Sequence, residues 1–247
     1  MRALLVVALI ACRSAPSAAV DGAIPRDAKE LVVAIADDWT STTVALARYH
    51  RARDGRWTQL GRDWPGVVGK AGLAWGVGLH GTGAPAGRTG PTKREGDGAS
   101  PAGAFAVRGA YGYAPAAPAG ARLPYTSTAA DDYQCVDDPA SAAYASVVSI
   151  EATTPDWKSH EEMHRTDDKY RWVIDLAHNP AHAPNAGSCI FLHVWSGPGS
   201  TTIGCTAMAE PELAMLVGTL DPSAIFVLLP RAEYAALAPT WKLPPRP

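Results

Sequence analysis

The sequence predicts a mainly β domain with a few helices, an α+β chain folded around a packed or partly closed sheet. Three observations carry this expectation. Short runs rich in β-branched and aliphatic residues recur along the chain, separated by Gly, Pro and Asp. An Asp-Gly pair sits between two such runs, where a tight hairpin would put it. Helical periodicity is convincing in one stretch near the C-terminus.

Taken in order, residues 31–35 (Leu-Val-Val-Ala-Ile) form the first strand-like run. Residues 43–49 and 57–60 form the next two, and Asp54-Gly55 between them marks the hairpin. Residues 67–77 are apolar and punctuated by glycine, again strand-like. Residues 81–103 are polar and rich in Gly and Pro, which reads as a long functional loop. Residues 105–107 resume a strand, and 114–121 are an Ala/Pro/Gly connector. Residues 157–169 are polar, with Ser159 placed to cap a short helix. Residues 170–176 and 189–195 read as strands. Over 210–220, Leu213, Leu216, Val217 and Leu220 recur at helical spacing, Pro211 suits the first turn, Glu210 and Glu212 favour the positive helix end, and Asp221-Pro222 stops it. Residues 225–229 form a buried strand. There is no internal repeat and no sign of a second domain.

The chain has 247 residues, 47% of them hydrophobic and 19% charged, a globular rather than a disordered balance. With 22 Lys and Arg against 24 Asp and Glu, there is no basic surplus, which argues against a nucleic-acid partner. The N-terminus has its own character. Met1-Arg2 is followed by an apolar run from Ala3 to Ala11. That is the form of a secretory signal core, and it is too short to span a bilayer. The run ends Leu9-Ile10-Ala11-Cys12, which resembles the lipobox of bacterial lipoproteins and makes Cys12 the expected lipidation site. A cut further on, among the small residues 17–19, is the alternative. Either way the chain is expected to be exported to the periplasm or cell envelope. Residues 1–12 thus read as a signal peptide and 13–28 as a flexible tether. No later stretch holds the roughly 18 apolar residues of a transmembrane helix.

Cys135, Cys189 and Cys205 remain. In an oxidising compartment spare thiols pair, and an odd number leaves one over. The expectation is a Cys135–Cys189 disulfide with Cys205 free, two buried free thiols being the alternative. The chain-entropy model gives such a bridge on the order of 4 kcal/mol.

The chemistry concentrates near Cys205. In a strand over 190–195, Ile190, Leu192 and Val194 share one face, while Phe191, His193 and Trp195 share the other. Residues 196–202 are rich in Gly, Ser and Thr and can turn freely, and Thr202-Ile203-Gly204-Cys205 then brings a thiol back beside the strand. A thiol of pKa about 8.5 is little ionised at neutral pH, and a neighbouring imidazole can take its proton. An attacked carbonyl also needs N–H donors in place, which Gly204 and Cys205 are expected to supply. Thr202 is expected to hydrogen-bond the thiol or the imidazole. A buried cysteine behind a core histidine would give the same spacing.

His193, the Gly-rich loop and Thr202-x-Gly204-Cys205 resemble the active-site signature of the L,D-transpeptidase (YkuD-like) catalytic domain family: a histidine followed by Ser/Thr-x-Gly-Cys. Residues 93–105, with Gly96-Asp97 and then Ser100-Pro101-x-Gly103 and Phe105, are similar to that family's stretch before a strand. Cys135-Val136-Asp137-Asp138-Pro139, Tyr144 and residues 187–193 resemble one of its subfamilies. The likeness covers about residues 65–230. It implies a single β-sandwich or partly closed barrel catalytic domain over 29–247, acting on peptidoglycan stem peptides in cell-wall biogenesis. Cys205 would be the nucleophile, forming a thioester and releasing a terminal D-alanine. His193 would serve as general base and then acid, and an amine of a second stem would resolve the thioester into a cross-link. No cofactor or metal is implied, and the membrane is a partner only through the lipid anchor. The chain departs from the family pattern at Ile203, where a histidine is usual, after the cysteine, where Met208 stands near an expected polar residue, and in a short His-to-Cys loop. These departures keep a hydrolase, an L,D-carboxypeptidase or amidase, as the alternative.

Two readings of other classes compete. His160-Glu161-x-x-His164 matches the zinc-peptidase pattern, with both histidines on one helix face and Glu161 as base, but residues 158–169 have almost no apolar stripe to bury such a helix. A non-catalytic wall-binding module would leave Cys205 inert to thiol reagents. Asn179 and Trp195 are candidate substrate contacts, against the plainer readings of a turn residue and a core aromatic.

Overall fold

The computed structural model describes residues 22–130 and 132–246. The signal peptide, Cys12 and the first part of the tether lie outside the described residues. In chain order the strands are β1 (Glu30–Ala36), β2 (Thr43–Arg51), β3 (Trp57–Val67), β4 (Leu73–Trp75), β5 (Val77–Gly78), β6 (Gly81–Thr82), β7 (Ser100–Gly112), β8 (Tyr125–Ser127), β9 (Tyr133–Val136), β10 (Val147–Ser149), β11 (His160–Glu162), β12 (Trp172–Leu176), β13 (Phe191–Val194) and β14 (Thr206–Met208). Helix α1 (Glu210–Thr219), β15 (Ile225–Pro230) and α2 (Arg231–Trp241) complete the chain.

Eight strands close on themselves in the order β12-β13-β14-β3-β2-β1-β15-β7, with β7 pairing back onto β12. The sheet expected to be packed or partly closed is therefore a closed barrel, which removes every edge among these eight strands. Two neighbours in it are parallel, β1–β15 and β13–β14; the others are antiparallel. Alternation explains the layers. Val32, Leu46, Trp64, Phe105, Ile174, Leu192, Met208 and Phe226 bring one residue from each of the eight strands to a shared interior. The apolar face of α1 (Leu213, Leu216, Val217) packs against that interior. On β1 and β15 the alternate residues Leu31, Val33, Ile225 and Val227 face outward and are covered by Tyr234, Leu237 and Trp241 of α2.

Most expected elements form. The Asp54-Gly55 hairpin joins β2 to β3, with Arg51 opposite Trp57, and the helix expected over 210–220 is α1. Three expectations need correction. Helix α2 was not anticipated: its buried residues 234, 237 and 241 do recur at helical spacing, but Pro239 inside the helix obscures the pattern. The helix expected over 157–169 does not form. Residues 160–162 instead add a strand to β9, in a three-stranded sheet β10-β9-β11, and the only helical turn is a short 3₁₀ segment, Asp168–Tyr170, capped by Asp167. Without an apolar stripe a helix there had nothing to pack, whereas the edge of β9 satisfies its backbone. The tether ends earlier than residue 28, because Ala23, Ile24 and Ala28 are buried with α2 and β1. Among the described residues no helix is long and apolar enough to cross a membrane.

Candidate active site

The strand carrying His193 follows the expected alternation. Ile190, Leu192 and Val194 point into the barrel, while Phe191 joins a separate outer cluster with Val173, Tyr170, Cys189 and Cys205. After β13 the chain loops over and returns as β14 in parallel register, with Leu192 opposite Thr206 and His193 opposite Ala207. Cys205 lies just before β14, where the Phe191 N–H reaches its Sγ at 3.3 Å. Cys205 thus falls beside Phe191, two positions along from His193, and parallel pairing puts the thiol and the imidazole on one face of neighbouring strands. They line a single cavity of about 220 Å³ together with Trp195, Thr202, Tyr170 and Glu161. A second cavity of about 210 Å³ also reaches Cys205, from the side of Gly204, Cys189 and Glu95. Lys70, Glu161 and Ile203 are common to both, and Ile203 is 67% exposed between them.

His193 is buried, with its ring 5.4 Å from that of Tyr170. Its Nδ1 lies 2.8 Å from the Val194 carbonyl, which can only accept, so Nδ1 carries the proton and Nε2 is the basic nitrogen. Burial pushes the imidazole down to about 4, against the pull of the Val194 carbonyl. Burial likewise pushes the Cys205 thiol well above its ordinary range. The Glu161 carboxylate adds to this, while the Phe191 N–H and Lys93 oppose it. The thiol donates to the Cys189 carbonyl at 3.3 Å, and among the described residues no hydrogen bond joins it to His193. At rest the pair is thus thiol and neutral imidazole rather than an ion pair. One result follows. The rate of Cys205 alkylation by iodoacetamide is expected to be low at pH 7 and to go on climbing beyond pH 9, because the thiolate forms only above the usual thiol range; a plateau below pH 8 would contradict it.

Thr202 acts differently from expectation. Its hydroxyl bonds neither the thiol nor the imidazole; it donates to the Cys205 carbonyl at 2.6 Å and accepts the Gly204 N–H at 3.2 Å. The Gly204 amide, expected to face an oxyanion, is therefore already engaged. A second hydroxyl, from the fully buried Ser100, donates to the same carbonyl at 2.8 Å and accepts the Gly69 N–H. Two hydroxyls thus fix the backbone at the thiol. The close approach needs Gly69, where a β-carbon would sit 2.3 Å from the Gly98 carbonyl oxygen. Thr202→Val keeps the shape but leaves the buried Gly204 N–H without its acceptor and the Cys205 carbonyl with Ser100 as its remaining hydroxyl donor. It is expected to cost about 1–3 kcal/mol in denaturant unfolding and to change the alkylation rate of Cys205.

Asn179 is a second correction. It is fully buried at φ 48, its amide donates to the carbonyls of Ala183 and Gly187, and its oxygen accepts the Ala183 N–H. Saturated in this way it shapes the turn after β12 and lines neither cavity at Cys205. Trp195 is half-buried and does line the cavity. Cys135 and Cys189 form the expected disulfide, with Cα atoms 5.9 Å apart, and Cys205 is free. The zinc pattern loses its geometry, since His160 and Glu162 point outward from β11 while Glu161 turns in to accept a hydrogen bond from the Tyr170 hydroxyl. Sequence reasoning missed Ser100, Tyr170 and Lys70. Ser100 alone had a signal, in the Ser-Pro-x-Gly stretch. Compared with known proteins, the chain matches no family model, no curated protein and no solved structure.

Proposed function

We propose that the protein is an exported, lipid-anchored L,D-transpeptidase of the YkuD-like class, working in the periplasm on peptidoglycan stem peptides. The observation that carries this reading is the pairing of a buried free thiol and a buried neutral imidazole on one face of two parallel strands, lining one cavity. Substrate entering that cavity displaces the S–H from the Cys189 carbonyl. His193 Nε2 takes the proton as Cys205 Sγ attacks the carbonyl after the L-centre of the diaminopimelate residue. Collapse of the tetrahedral intermediate breaks the amide bond, and the imidazolium gives its proton to the departing D-alanine amine, leaving a thioester. An amine of a second stem then attacks the thioester, His193 takes the excess proton, and Cys205 is released as a thiol. Because the Gly204 N–H is held by Thr202, the Cys205 N–H is the main-chain donor left for the oxyanion.

Transfer is preferred to hydrolysis because Cys205 opens to two cavities of different charge. Lys70, Arg165 and Lys169 line the first with Glu161 as its one carboxylate, whereas Glu95, Asp137 and Glu161 line the second with Lys70 and Lys93. Hydrolysis, giving an L,D-carboxypeptidase or amidase, is the second reading, favoured by the exposed apolar Ile203 at the mouth, where a polar group would help bind an amine. Incubation with purified muropeptides separates them by product mass. Cross-linked dimers support transfer, stems shortened by one D-alanine without dimers support hydrolysis, and no change in either would reject both.

A further inference from the structure

Cys189 has φ 53, a left-handed conformation that a residue with a β-carbon holds only when its surroundings impose it. That turn aims its carbonyl at the Cys205 thiol, and two residues later Phe191 aims its N–H at the same sulfur. The covalent partner of Cys189 is Cys135, in the central strand of the small β10-β9-β11 sheet, directly across from Glu161 of β11. Glu161 in turn lines both cavities at Cys205 and takes the Tyr170 hydroxyl bond. One bond therefore reaches two of the groups that surround the sulfur, the carbonyl that accepts its proton and the carboxylate that walls both approaches. The small sheet also meets the barrel through a buried apolar cluster, in which Tyr133, Val147 and Met163 pack with Val173 and Phe191, but among the described residues the disulfide is the one covalent cross-link.

We infer that the Cys135–Cys189 disulfide is a positioning clamp: it holds the β9–β11 sheet over Cys205 as a cover and sets the Cys189 carbonyl against the thiol, so the site takes its working shape only when that bond is formed. Opening the bond leaves the small sheet held by non-covalent packing alone, able to shift away from the thiol, and lets Cys189 relax from its left-handed turn. The thiol then loses both its cover and its acceptor, while the barrel core, built from other residues, stays packed. The consequence for activity rests on the transpeptidase reading; the consequence for thiol accessibility does not.

The test compares oxidised wild type with the double variant Cys135→Ser/Cys189→Ser, reading Cys205 alkylation by iodoacetamide at neutral pH from its own peptide by mass spectrometry, and stem-peptide transfer alongside. In protein whose far-UV circular dichroism is unchanged, Cys205 is expected to label several-fold faster in the variant while transfer falls by roughly 100-fold, as misplacement of about 1 Å does. General loosening would also raise labelling and lower transfer, so both are read well below the unfolding transition in denaturant, where the clamp alone predicts faster labelling. If the serine pair does not fold, a phosphine titration of folded wild type gives the same readouts, the bond becoming two thiols as the phosphine takes oxygen from water. Equal labelling with and without the bond, or labelling that only tracks loss of folded signal, overturns the clamp. Faster labelling with no transfer in either form supports the clamp and rejects the transpeptidase reading.

Discussion

Cys205→Ser is expected to lower muropeptide transfer by roughly 10⁴-fold or more and to leave no acyl-enzyme detectable by intact mass. The substitution alters one buried atom, and both neighbours of Sγ, the Phe191 N–H and the Cys189 carbonyl, can bond a hydroxyl as well as a thiol. The fold should therefore survive, and circular dichroism would verify it. What changes is chemistry. A serine hydroxyl is far less acidic than a thiol, and burial and Glu161 resist an anion at this position more than the Phe191 N–H and Lys93 favour one. The zinc reading predicts the reverse pattern. Activity that survives Cys205→Ser but vanishes with a chelator would replace the thiol mechanism, whereas full activity in chelator with none in the variant upholds it. A binding module with a vestigial site would retain its wall affinity in the variant and show no turnover in the wild type.

His193→Ala is expected to cost about 10²–10⁴-fold in turnover. Nδ1 is committed to the Val194 carbonyl, so Nε2 is the base available in the shared cavity. With that ring held at about 4 by burial, the neutral form is present across the physiological range, and loss of the ring removes the proton acceptor at every such pH. Tyr170 does not substitute for it. The phenol is pushed well above its ordinary range, first by burial and then by the Glu161 charge, so it stays protonated. Steady-state rates with a variant of unchanged circular dichroism would bear this out; a variant as active as wild type would remove His193 from the mechanism.

Local pattern carried much of this molecule. The alternation over 190–195 placed His193 on the face away from Ile190, Leu192 and Val194, which is where it lies. Helix α1 could be read from its leucines, and the odd cysteine from the count. Other features failed for identifiable reasons. The segment around Glu161 has a helix-compatible motif, but its conformation is decided by β9, a strand with which it shares no local signal. Asn179 has the look of a substrate contact because its type and position fit one, yet its three hydrogen bonds depend on how residues 183–187 fold back. Ser100 stands more than a hundred residues from the carbonyl it holds, and only the packing of β7 beside the Cys205 turn reveals the link.

By itself the sequence determined the mainly β class, several of the barrel strands, the faces of the strand carrying His193 and the residue types able to do thiol chemistry, because periods of 2 and 3.6 are written in near neighbours. Tertiary structure alone decided that the sheet closes, that β13 and β14 run parallel so thiol and imidazole share a cavity, and which groups surround the sulfur. Register between distant strands is set by the simultaneous packing of all eight, and no local run of residues encodes it.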